Sequence, residues 1–348
     1  MRLGEIVRAD LGFGLQSQTY NICRMLKPDK LLLIDSRSFN QNDQKYDLYE
    51  NFNYQVSDGF VTNRDALTFI RDLTHIITAE TFYNHFLVSQ SNLRGIKTFN
   101  QYNWEFCEHI EKQHLPQPYK WLAPSYWKLE EMQNLFDNVV YLPPPIIMSD
   151  FKRSRDKNLS RDGKKRFLHV IGKAATKDRN GTLDVLDALR YTDRDFELVI
   201  RSQFKLEGYD LEDRRIRVEI GNIQDQGDLY SDFDAMILPR RYGGLCLPMN
   251  EALCSALPVI MTDISPNNQI LPSLWLIDSE ICDVFRARTL IDVYRANTQD
   301  LAERINWFCS LSRDELNIQK ANALAIGHEN YSSDTLKEHY INELELND

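Results

Sequence analysis

The sequence predicts an α/β protein made of two doubly wound, Rossmann-like domains that face each other across a cleft. The chain has 348 residues, which at roughly 150 residues per domain corresponds to two domains. Short apolar runs rich in β-branched residues alternate with helical patterns in both halves, as in parallel sheets covered by helices. A run of three prolines, Pro143 to Pro145, interrupts this alternation between the two halves.

The first half contains predicted strands at residues 6–9, 31–34, 75–78, 96–99 and 139–142. Helical patterns lie between them, near residues 17–26, 82–93 and 126–136. Strands that alternate with helices in this way predict a parallel sheet.

The connection between the halves is marked by proline and by basic residues. Pro143-Pro144-Pro145 is extended because the proline ring fixes φ, so neither a helix nor a strand continues through it. Residues 152–166 carry eight basic and two acidic side chains, which indicates either a solvated linker or an electropositive rim facing an anionic acceptor. The predicted divisions are a first domain over 1–148, a basic linker over 149–165, a second domain over 166–333 and a C-terminal helix at about 334–348 that packs back on the first domain.

After the linker the alternation starts again. Predicted strands lie at residues 167–171, 196–201, 216–220, 235–238, 259–261 and 274–277. Predicted helices lie near residues 182–191, 248–255 and 301–310. Ligands of such sheets bind beyond the carboxyl ends of the strands, so we expect the site in the cleft.

The composition disfavours several classes of protein. An apolar fraction of 43% is sufficient for buried cores and argues against a disordered chain. The net charge of -10 argues against a nucleic-acid binder held by phosphate attraction. The first residues are charged instead of forming an apolar signal core, and no apolar run approaches the roughly 18 residues that span a bilayer. Six cysteines without a C-x-x-C pair are typical of reduced thiols, so we expect a cytoplasmic protein.

The most informative segment lies in the second half and reads as strand, glycine turn, helix and strand. Gly243 and Gly244 allow the backbone to approach a ligand closely, and Pro248 suits the first turn of a helix. The amide groups of residues 245–247 then point at the mouth of the turn, where a helix N-terminus stabilises a phosphate. Glu251 lies on this helix, near enough to accept hydrogen bonds from ribose hydroxyls. An ordinary strand–helix turn with a surface glutamate is the alternative.

This segment resembles the signature of the retaining glycosyltransferases of family four (group 1), which have the GT-B fold. Their pattern runs Pro-Ser-x-x-Glu-Gly-Phe-Gly-Leu-Pro, two residues, Glu-Ala and later Gly-x-Pro-Val. The positions that match it in register and without a gap are Pro239, Leu247-Pro248, Glu251-Ala252 and Pro258-Val259. The resemblance covers nearly the whole chain, most strongly residues 166–263, and implies that Glu251 holds the donor ribose. By the resemblance, the donor-binding residues are Gly243, Gly244, Leu245, Cys246, Leu247 and Glu251.

Several positions depart from the family pattern. Gly243 stands where the family has its first glutamate, which usually contacts the donor sugar. Leu245-Cys246 replaces Phe-Gly, and Ala256 replaces the later glycine. The missing carboxylate motivates an alternative function, a catalytically weak module that binds nucleotide sugars.

Two further segments resemble the family's loops around the donor phosphates. Lys173 follows a predicted strand and Arg179 precedes the next helix. Two cations beside a strand–helix turn suit a diphosphate whose charge grows as it leaves, although a solvated loop is the alternative. The resemblance implies that Lys173 and Arg179 bind the donor phosphates and are the catalytic cations. Gly12 and Gly14 follow the first predicted strand and resemble the family's N-terminal glycine loop, which faces the donor phosphates and the acceptor.

The acceptor side in the first half is less well defined. The family often has a histidine after a mid-domain strand, and the corresponding stretch here, which includes Asn100 and Tyr102, has none. His75 and Glu80 flank or end the strand predicted at 75–78 and are the other candidates; a structural histidine and a solvated glutamate are the alternatives. No D-x-D, histidine-rich or cysteine-rich cluster indicates a metal site.

Together these features predict a glycosyltransferase that moves a sugar from a nucleotide-sugar donor to an unidentified acceptor, with retention of configuration and without a metal or other cofactor. We expect a UDP-sugar as the co-substrate, while a protein, a nucleic-acid base, a saccharide or a lipid head group all stay open as the acceptor. Two alternatives are the binding module and a sugar-nucleotide epimerase, which shares this architecture. A dehydrogenase is disfavoured because no predicted strand is followed by a full G-x-G-x-x-G.

Overall fold

The computed structural model describes residues 1–9, 14–35, 46–154, 164–172, 178–223 and 225–347. The chain divides into two compact units. The first comprises Met1–Pro145, Ala287–Thr289 and Ser333–Asp348, and the second comprises Ile146–Arg286 and Leu290–Ser332. Each unit is built on one parallel sheet with helices beside it, which confirms the prediction of two doubly wound domains.

The described part of the first unit contains a seven-stranded sheet. Its strands are β1 (Leu3–Arg8), β2 (Lys30–Asp35), β3 (Tyr54–Asp58), β4 (His75–Glu80), β5 (Lys97–Tyr102), β6 (Lys120–Ala123) and β7 (Val139–Tyr141). All neighbouring pairs are parallel, in the order β3-β2-β1-β4-β5-β6-β7. The helices between these strands are α1 (Gly14–Leu26), α2 (Asn63–Phe69), α3 (His85–Leu93) and α4 (Leu129–Leu135).

Side chains of β1 alternate between two hydrophobic cores, because successive residues of a strand point to opposite faces of the sheet. Ile6 packs in one core with residues of α2 and α3, including Phe69 and Leu87. Leu3 packs in the other core with Ile22 of α1. A sheet buried on both faces explains the continuous apolar run at residues 31–34 of β2.

The described part of the second unit contains a six-stranded parallel sheet in the order β10-β9-β8-β11-β12-β13. The strands are β8 (Lys165–Gly172), β9 (Phe196–Ser202), β10 (Ile216–Ile220), β11 (Ala235–Ile237), β12 (Val259–Thr262) and β13 (Leu276–Ile277). An antiparallel hairpin follows, formed by β14 (Ser279–Arg286) and β15 (Leu290–Ala296). The helices are α5 (Thr182–Ala188), α6 (Leu247–Cys254), α7 (Asn267–Ile270), α8 (Thr298–Ser310) and α9 (Arg313–Tyr331).

The last helix, α10 (Ser333–Glu343), belongs to the first unit. Leu336, Tyr340 and Leu344 are buried in the same core as Leu3 of β1. The Tyr340 hydroxyl donates a hydrogen bond to the Pro143 carbonyl, with an O–O distance of 3.0 Å. No helix in the described ranges has both the length and the apolar character needed to cross a membrane.

The elements that the sequence pattern did not predict include the helices α2, α7 and α9, the strands β3 and β6, and the β14–β15 hairpin. β3 is an edge strand, and its Tyr-Gln-Val-Ser-Asp sequence has little apolar character because most of it is exposed. β6 has four residues, too few to show a periodicity. The hairpin buries Ile291 and Val293 on one side of β15 only, while β14 is largely exposed.

Candidate functional site

The site that the sequence predicted in the second half lies where the strand order of the sheet reverses. β8 and β11 are neighbours there, with Phe167 paired to Ala235 and Leu168 paired to Met236. β9 lies beyond β8 and β12 lies beyond β11, so the strands that follow β8 and β11 in the chain lie on opposite sides of this point. This switch point is where ligands bind in open parallel sheets. We call residues 238–246, between β11 and α6, the glycine turn.

The glycine turn is held from within by Arg240. The Arg240 Nη1 donates to the Leu245 carbonyl at 2.9 Å, and the Thr262 hydroxyl at the end of β12 donates to the Arg240 carbonyl. Gly244 has a φ of 98°, in the region that favours glycine. The local sequence therefore specifies a tight turn that bends back towards the end of β12.

Arg179, one of the two predicted cations, lies against the glycine turn. Its carbonyl accepts a hydrogen bond from the Arg241 amide at 2.9 Å, and its Nη2 donates to the Gly243 carbonyl at 2.8 Å. Its guanidinium carbon lies 4.7 Å from the centre of the Tyr242 ring, a cation–π distance. The other predicted cation, Lys173, lies outside the described residues, as does Gly12.

The start of α5 packs directly on the glycine turn. The Asp178 carboxylate caps this helix by accepting hydrogen bonds from the Thr182 and Leu183 amides at 3.1 and 2.9 Å. Gly181 has a φ of 69°, and a Cβ there would lie 2.2 Å from the Pro239 carbonyl oxygen. Only glycine permits this approach, which brings Arg179 onto the turn.

The backbone of the glycine turn presents consecutive N–H groups that the described residues leave unbonded. These residues supply no hydrogen-bond acceptor for the amides of residues 243–247. Cys246, the N-cap of α6, makes no side-chain cap hydrogen bond, and Pro248 has no N–H group. More than nine in ten buried amides in proteins have a partner. A row of unbonded amides at a helix N-terminus is therefore the backbone geometry of an anion site.

Glu251 lies one helical turn inside α6 and is buried rather than at the surface. Its side chain is 6% exposed, and the Tyr230 hydroxyl donates to its Oε2 at 2.7 Å. Burial raises the pKa of the Glu251 carboxyl to about 7, against the opposing effect of the Tyr230 hydrogen bond. A titrating carboxyl thus lies on the helix whose first amides are unbonded.

In the first unit, two of the predicted acceptor-side residues lie together. Glu80 ends β4 and is paired with Tyr102 at the end of β5. Glu80 has a φ of 65°, a backbone conformation that is strained for a residue with a side chain. Burial raises the pKa of its carboxyl, Arg8 opposes this shift and Glu105 adds to it.

The other predicted residues of the first unit lie apart from this pair. Asn100 is buried near the middle of β5. His75 begins β4, so it lies at the opposite edge of the sheet from Glu80, and its ring stacks on Phe99 with 6.2 Å between centroids. Gly14 is the first residue of α1. In the described ranges, no group of three or more His, Cys, Asp or Glu side chains is arranged to hold a metal ion.

Sequence reasoning missed two residues of the second-unit site, Tyr230 and Arg240. Tyr230 lies 21 positions before Glu251, and nothing in the local pattern connects the two residues. Arg240 lies within the recognised segment, where the family pattern has a serine. The one signal in the sequence was a pair of arginines, Arg240 and Arg241, shortly after a strand.

No protein-family model matches this chain, and no curated protein matches it in sequence. Solved structures do match its fold over the full length. A glycosyltransferase from Rickettsia africae superposes with a TM-score of 0.70 at 14% identity, covering 100% of this chain and 99% of that one. HepE from Anabaena, in complex with UDP and glucose, gives a TM-score of 0.70 at 11% identity, covering 99% and 100%. Sucrose-phosphate synthase from Thermosynechococcus elongatus gives 0.68 at 11% identity, covering 99% of each chain.

These likenesses establish the fold. The chain has the two-domain GT-B architecture of these solved structures.

Proposed function

We propose that this protein is a glycosyltransferase whose second unit binds a nucleotide-sugar donor at the glycine turn. The observation that carries the proposal is the row of unbonded amides at residues 243–247, at the switch point of the sheet. A diphosphate fits this row, since its oxygens accept several N–H hydrogen bonds and its charge is stabilised by the helix N-terminus. The fold shared with HepE, which was solved with UDP and glucose, supports the same assignment.

Arg179 supplies charge to the leaving diphosphate in this proposal. Its guanidinium already lies on the glycine turn through the Gly243 carbonyl. Positive charge placed where negative charge develops lowers the barrier to departure, and removing one such donor typically reduces turnover about 10²–10³-fold. Lys173 is the second proposed cation, on the strength of the sequence resemblance.

Glu251 is the proposed ribose ligand. One of its carboxylate oxygens accepts the Tyr230 hydrogen bond, and the hydrogen bonds of the described residues leave the other oxygen available. Carboxylates commonly accept hydrogen bonds from ribose hydroxyls in nucleotide sites built on this type of sheet. Glu251 lies on α6, the helix that begins at the last amide of the row, and this supports a role next to the proposed diphosphate.

We further propose that transfer retains the anomeric configuration, with the leaving diphosphate accepting the proton of the acceptor hydroxyl. The acceptor then binds at the first unit, where Glu80 and Tyr102 end neighbouring strands. We propose that no metal is needed, since Arg179 and five amides supply the positive charge that a divalent cation otherwise brings to a diphosphate. Transferase activity is then expected to survive treatment with EDTA. A loss of activity that Mn²⁺ or Mg²⁺ restores would contradict the proposal that no metal is needed.

The test is a panel of nucleotide sugars with different bases and sugars, followed by thermal shift and by analysis of products. At least one member should raise the melting temperature and release free nucleotide, with proton NMR showing a retained anomeric configuration on transfer. Stabilisation without release indicates the binding module, and a new sugar still attached to the nucleotide indicates the epimerase. If no nucleoside diphosphate or nucleotide sugar stabilises the protein, the proposal is wrong.

A further inference from the structure

Arg240 carries a buried charge at the centre of the glycine turn. The residue is 5% exposed, its Nη1 donates to the Leu245 carbonyl at 2.9 Å, and its Nη2 donates to the Gly243 carbonyl at 3.4 Å. Its Nε is buried without a hydrogen-bond partner. Within the described ranges, no carboxylate lies at ion-pair distance from this guanidinium. Buried charges are normally paired, because removing an unpaired ion from water is costly.

Three acidic side chains of neighbouring segments are engaged elsewhere. Asp178 accepts two amide hydrogen bonds at the start of α5. The Asp184 carboxylate lies 3.9 Å from the Arg241 Nε and accepts the Ala296 amide. Glu251 accepts the Tyr230 hydroxyl, and its raised pKa reduces its negative charge at neutral pH. These groups therefore leave the charge on Arg240 without a direct counter-ion.

A second cation lies beside the first. Arg179 donates to the same Gly243 carbonyl as Arg240, at 2.8 Å. Two guanidinium groups held on one oxygen atom repel each other, and an anion close to both relieves this repulsion. The unbonded amides of residues 243–247 form an independent set of donors in the same turn.

We infer that Arg240 is a further anion-binding residue of the donor site, supplying positive charge to an oxyanion of the bound donor. This inference rests on the proposed function, since the oxyanion belongs to a nucleotide sugar. Two groups of such a donor have the required chemistry, the diphosphate and a carboxylate on the transferred sugar. The glycine turn contains no acidic side chain that would repel either group.

The experiment compares wild type with Arg240→Gln, which is neutral, and Arg240→Lys, which keeps the charge. Calorimetric titrations use inorganic pyrophosphate, UDP, UDP-glucose and UDP-glucuronate. Arg240→Gln should lower the affinity for at least one of these anions about tenfold, and Arg240→Lys should lower the affinity for the same anion about threefold or less. The affinity for that anion should also depend less steeply on salt in Arg240→Gln, an effect that a purely structural arginine would not have.

Arg215→Gln is the matched control. The Arg215 guanidinium binds the Asp213 carboxylate and the Leu189 carbonyl, both at 2.7 Å. Arg215 directly precedes β10, so it lies at the amino edge of the sheet, away from the glycine turn. This variant loses the same charge and a similar set of hydrogen bonds, and its affinities for all four ligands should equal those of wild type.

The pattern of losses identifies the oxyanion. A loss of affinity shared by pyrophosphate, UDP and both UDP-sugars assigns the oxyanion to the diphosphate. A loss of affinity confined to UDP-glucuronate assigns the oxyanion to a sugar carboxylate. Unchanged affinities in a folded Arg240→Gln protein overturn the inference and leave Arg240 as a support of the turn. If Arg240→Gln does not fold, Arg240→Lys decides, and a tenfold loss despite the retained charge overturns the inference.

Failure of the proposed function gives a different result. Wild-type protein that binds pyrophosphate in an Arg240-dependent way, but no uridine compound or other nucleotide of the panel, retains the anion site and loses the nucleotide-sugar assignment. Wild-type protein that binds none of these anions contradicts both.

Discussion

Glu251 combines a buried position with a pKa near neutrality, which makes its proposed role testable through pH. Burial raises its pKa to about 7, so the carboxyl changes from mostly protonated to mostly ionised between pH 6 and pH 8. Only the ionised carboxylate offers its full set of acceptors to ribose hydroxyls, and such charge-assisted hydrogen bonds contribute roughly 1.5–3 kcal/mol each.

We therefore expect the affinity for UDP-glucose to rise between pH 6 and pH 8, and Glu251→Gln to bind about tenfold more weakly at pH 8 with a flat profile. The diphosphate of this ligand does not titrate in the range, so isothermal titration calorimetry reports on the protein. Tyr230→Phe removes the hydrogen bond to the carboxylate, raises the pKa further and should move the rise to higher pH. A flat wild-type profile with unchanged affinity in Glu251→Gln would assign Glu251 a structural role.

Glu5 is a second buried carboxyl, in the middle of β1 and away from the proposed donor site. The residue is 1% exposed, and neither carboxylate oxygen has a hydrogen-bond partner in the described ranges. Its titrating neighbours include Cys23 of α1, Tyr49 and Tyr340 of α10: burial raises the pKa of each of these groups, and the charge of Glu5 raises it further. Burial raises the pKa of Glu5 well above its ordinary value of 4.5.

The folded pKa of Glu5 thus exceeds the unfolded pKa, so its contribution to stability is complete below about pH 4.5 and is lost as the pH rises through the folded pKa. Glu5→Gln keeps the shape of the side chain but does not titrate. The stability of this variant relative to wild type should grow by up to about 1.4 kcal/mol per pH unit between about pH 4.5 and the folded pKa of Glu5. Urea denaturation between pH 4 and pH 8 measures this difference.

Glu315→Gln is the control with the opposite sign. The Ser312 hydroxyl and amide lower the pKa of Glu315 at the start of α9. Its contribution is therefore present above the unfolded pKa and lost as the pH falls through the folded pKa, so this variant should be less stable than wild type at neutral pH. A Glu5→Gln difference that does not change with pH would contradict a buried, protonated Glu5.

At the scale of elements, the contact between α5 and the glycine turn depends on one glycine. An alanine at Gly181 has to adopt a φ of 69° and to place its Cβ 2.2 Å from the Pro239 carbonyl oxygen. The left-handed conformation costs roughly 1–2 kcal/mol, and overpacking typically adds about 1–3 kcal/mol. Because Arg179 lies on the same loop, displacement of α5 should also move this cation away from the Gly243 carbonyl.

Gly181→Ala should therefore lower the free energy of unfolding and weaken UDP binding together, as measured by urea denaturation and calorimetry. Gly95→Ala provides the matched control, since Gly95 has the same φ of 69° and nothing within 4 Å of an added Cβ. The control should show the conformational cost alone and normal UDP affinity. Equal losses of stability in the two variants would mean that the Pro239 carbonyl moves away from the added Cβ at no energetic cost, and would contradict the expected overpacking.

At the scale of the whole molecule, the C-terminal helix α10 stabilises the first unit although the second unit precedes it in the chain. The Tyr340 hydroxyl accepts a hydrogen bond from the Gln101 amide and donates to the Pro143 carbonyl, both at 3.0 Å. Lys97 and Lys120 form ion pairs with Glu345 and Glu343 at the end of the chain. The first unit is therefore completed only after the second has been synthesised.

Tyr340→Ala should cost about 3–5 kcal/mol of stability in the first unit, the range for removing a buried aromatic side chain. Hydrogen–deuterium exchange should show faster exchange in β5 and β7 and unchanged exchange in β8, β11 and β12. Lys337→Ala, at an exposed position of the same helix, is the control and should leave both units unchanged. Equal acceleration in both units would mean that they unfold as a single cooperative body.

The sequence alone determined the fold class and indicated the segment that we propose as the donor site. Strands buried on both faces of a parallel sheet need continuous apolar runs, and these are visible in a single sequence, as at residues 31–34 and 235–238. A glycine turn before a helix with proline in its first turn is specified by backbone conformation, which depends on local residue types. For the same reason the exposed strand β3 and the β14–β15 hairpin, which have no continuous apolar pattern, were not predicted.

Only the tertiary structure decided which side chains meet and which are buried. Tyr230 reaches Glu251 across 21 residues of sequence, and Arg179 and Arg240 meet on the Gly243 carbonyl from two different loops. The structure also separated His75 from Glu80, which are five residues apart in the chain, to opposite ends of β4. Contacts and pKa values of this kind arise from burial and from distances through space, and local sequence patterns carry neither.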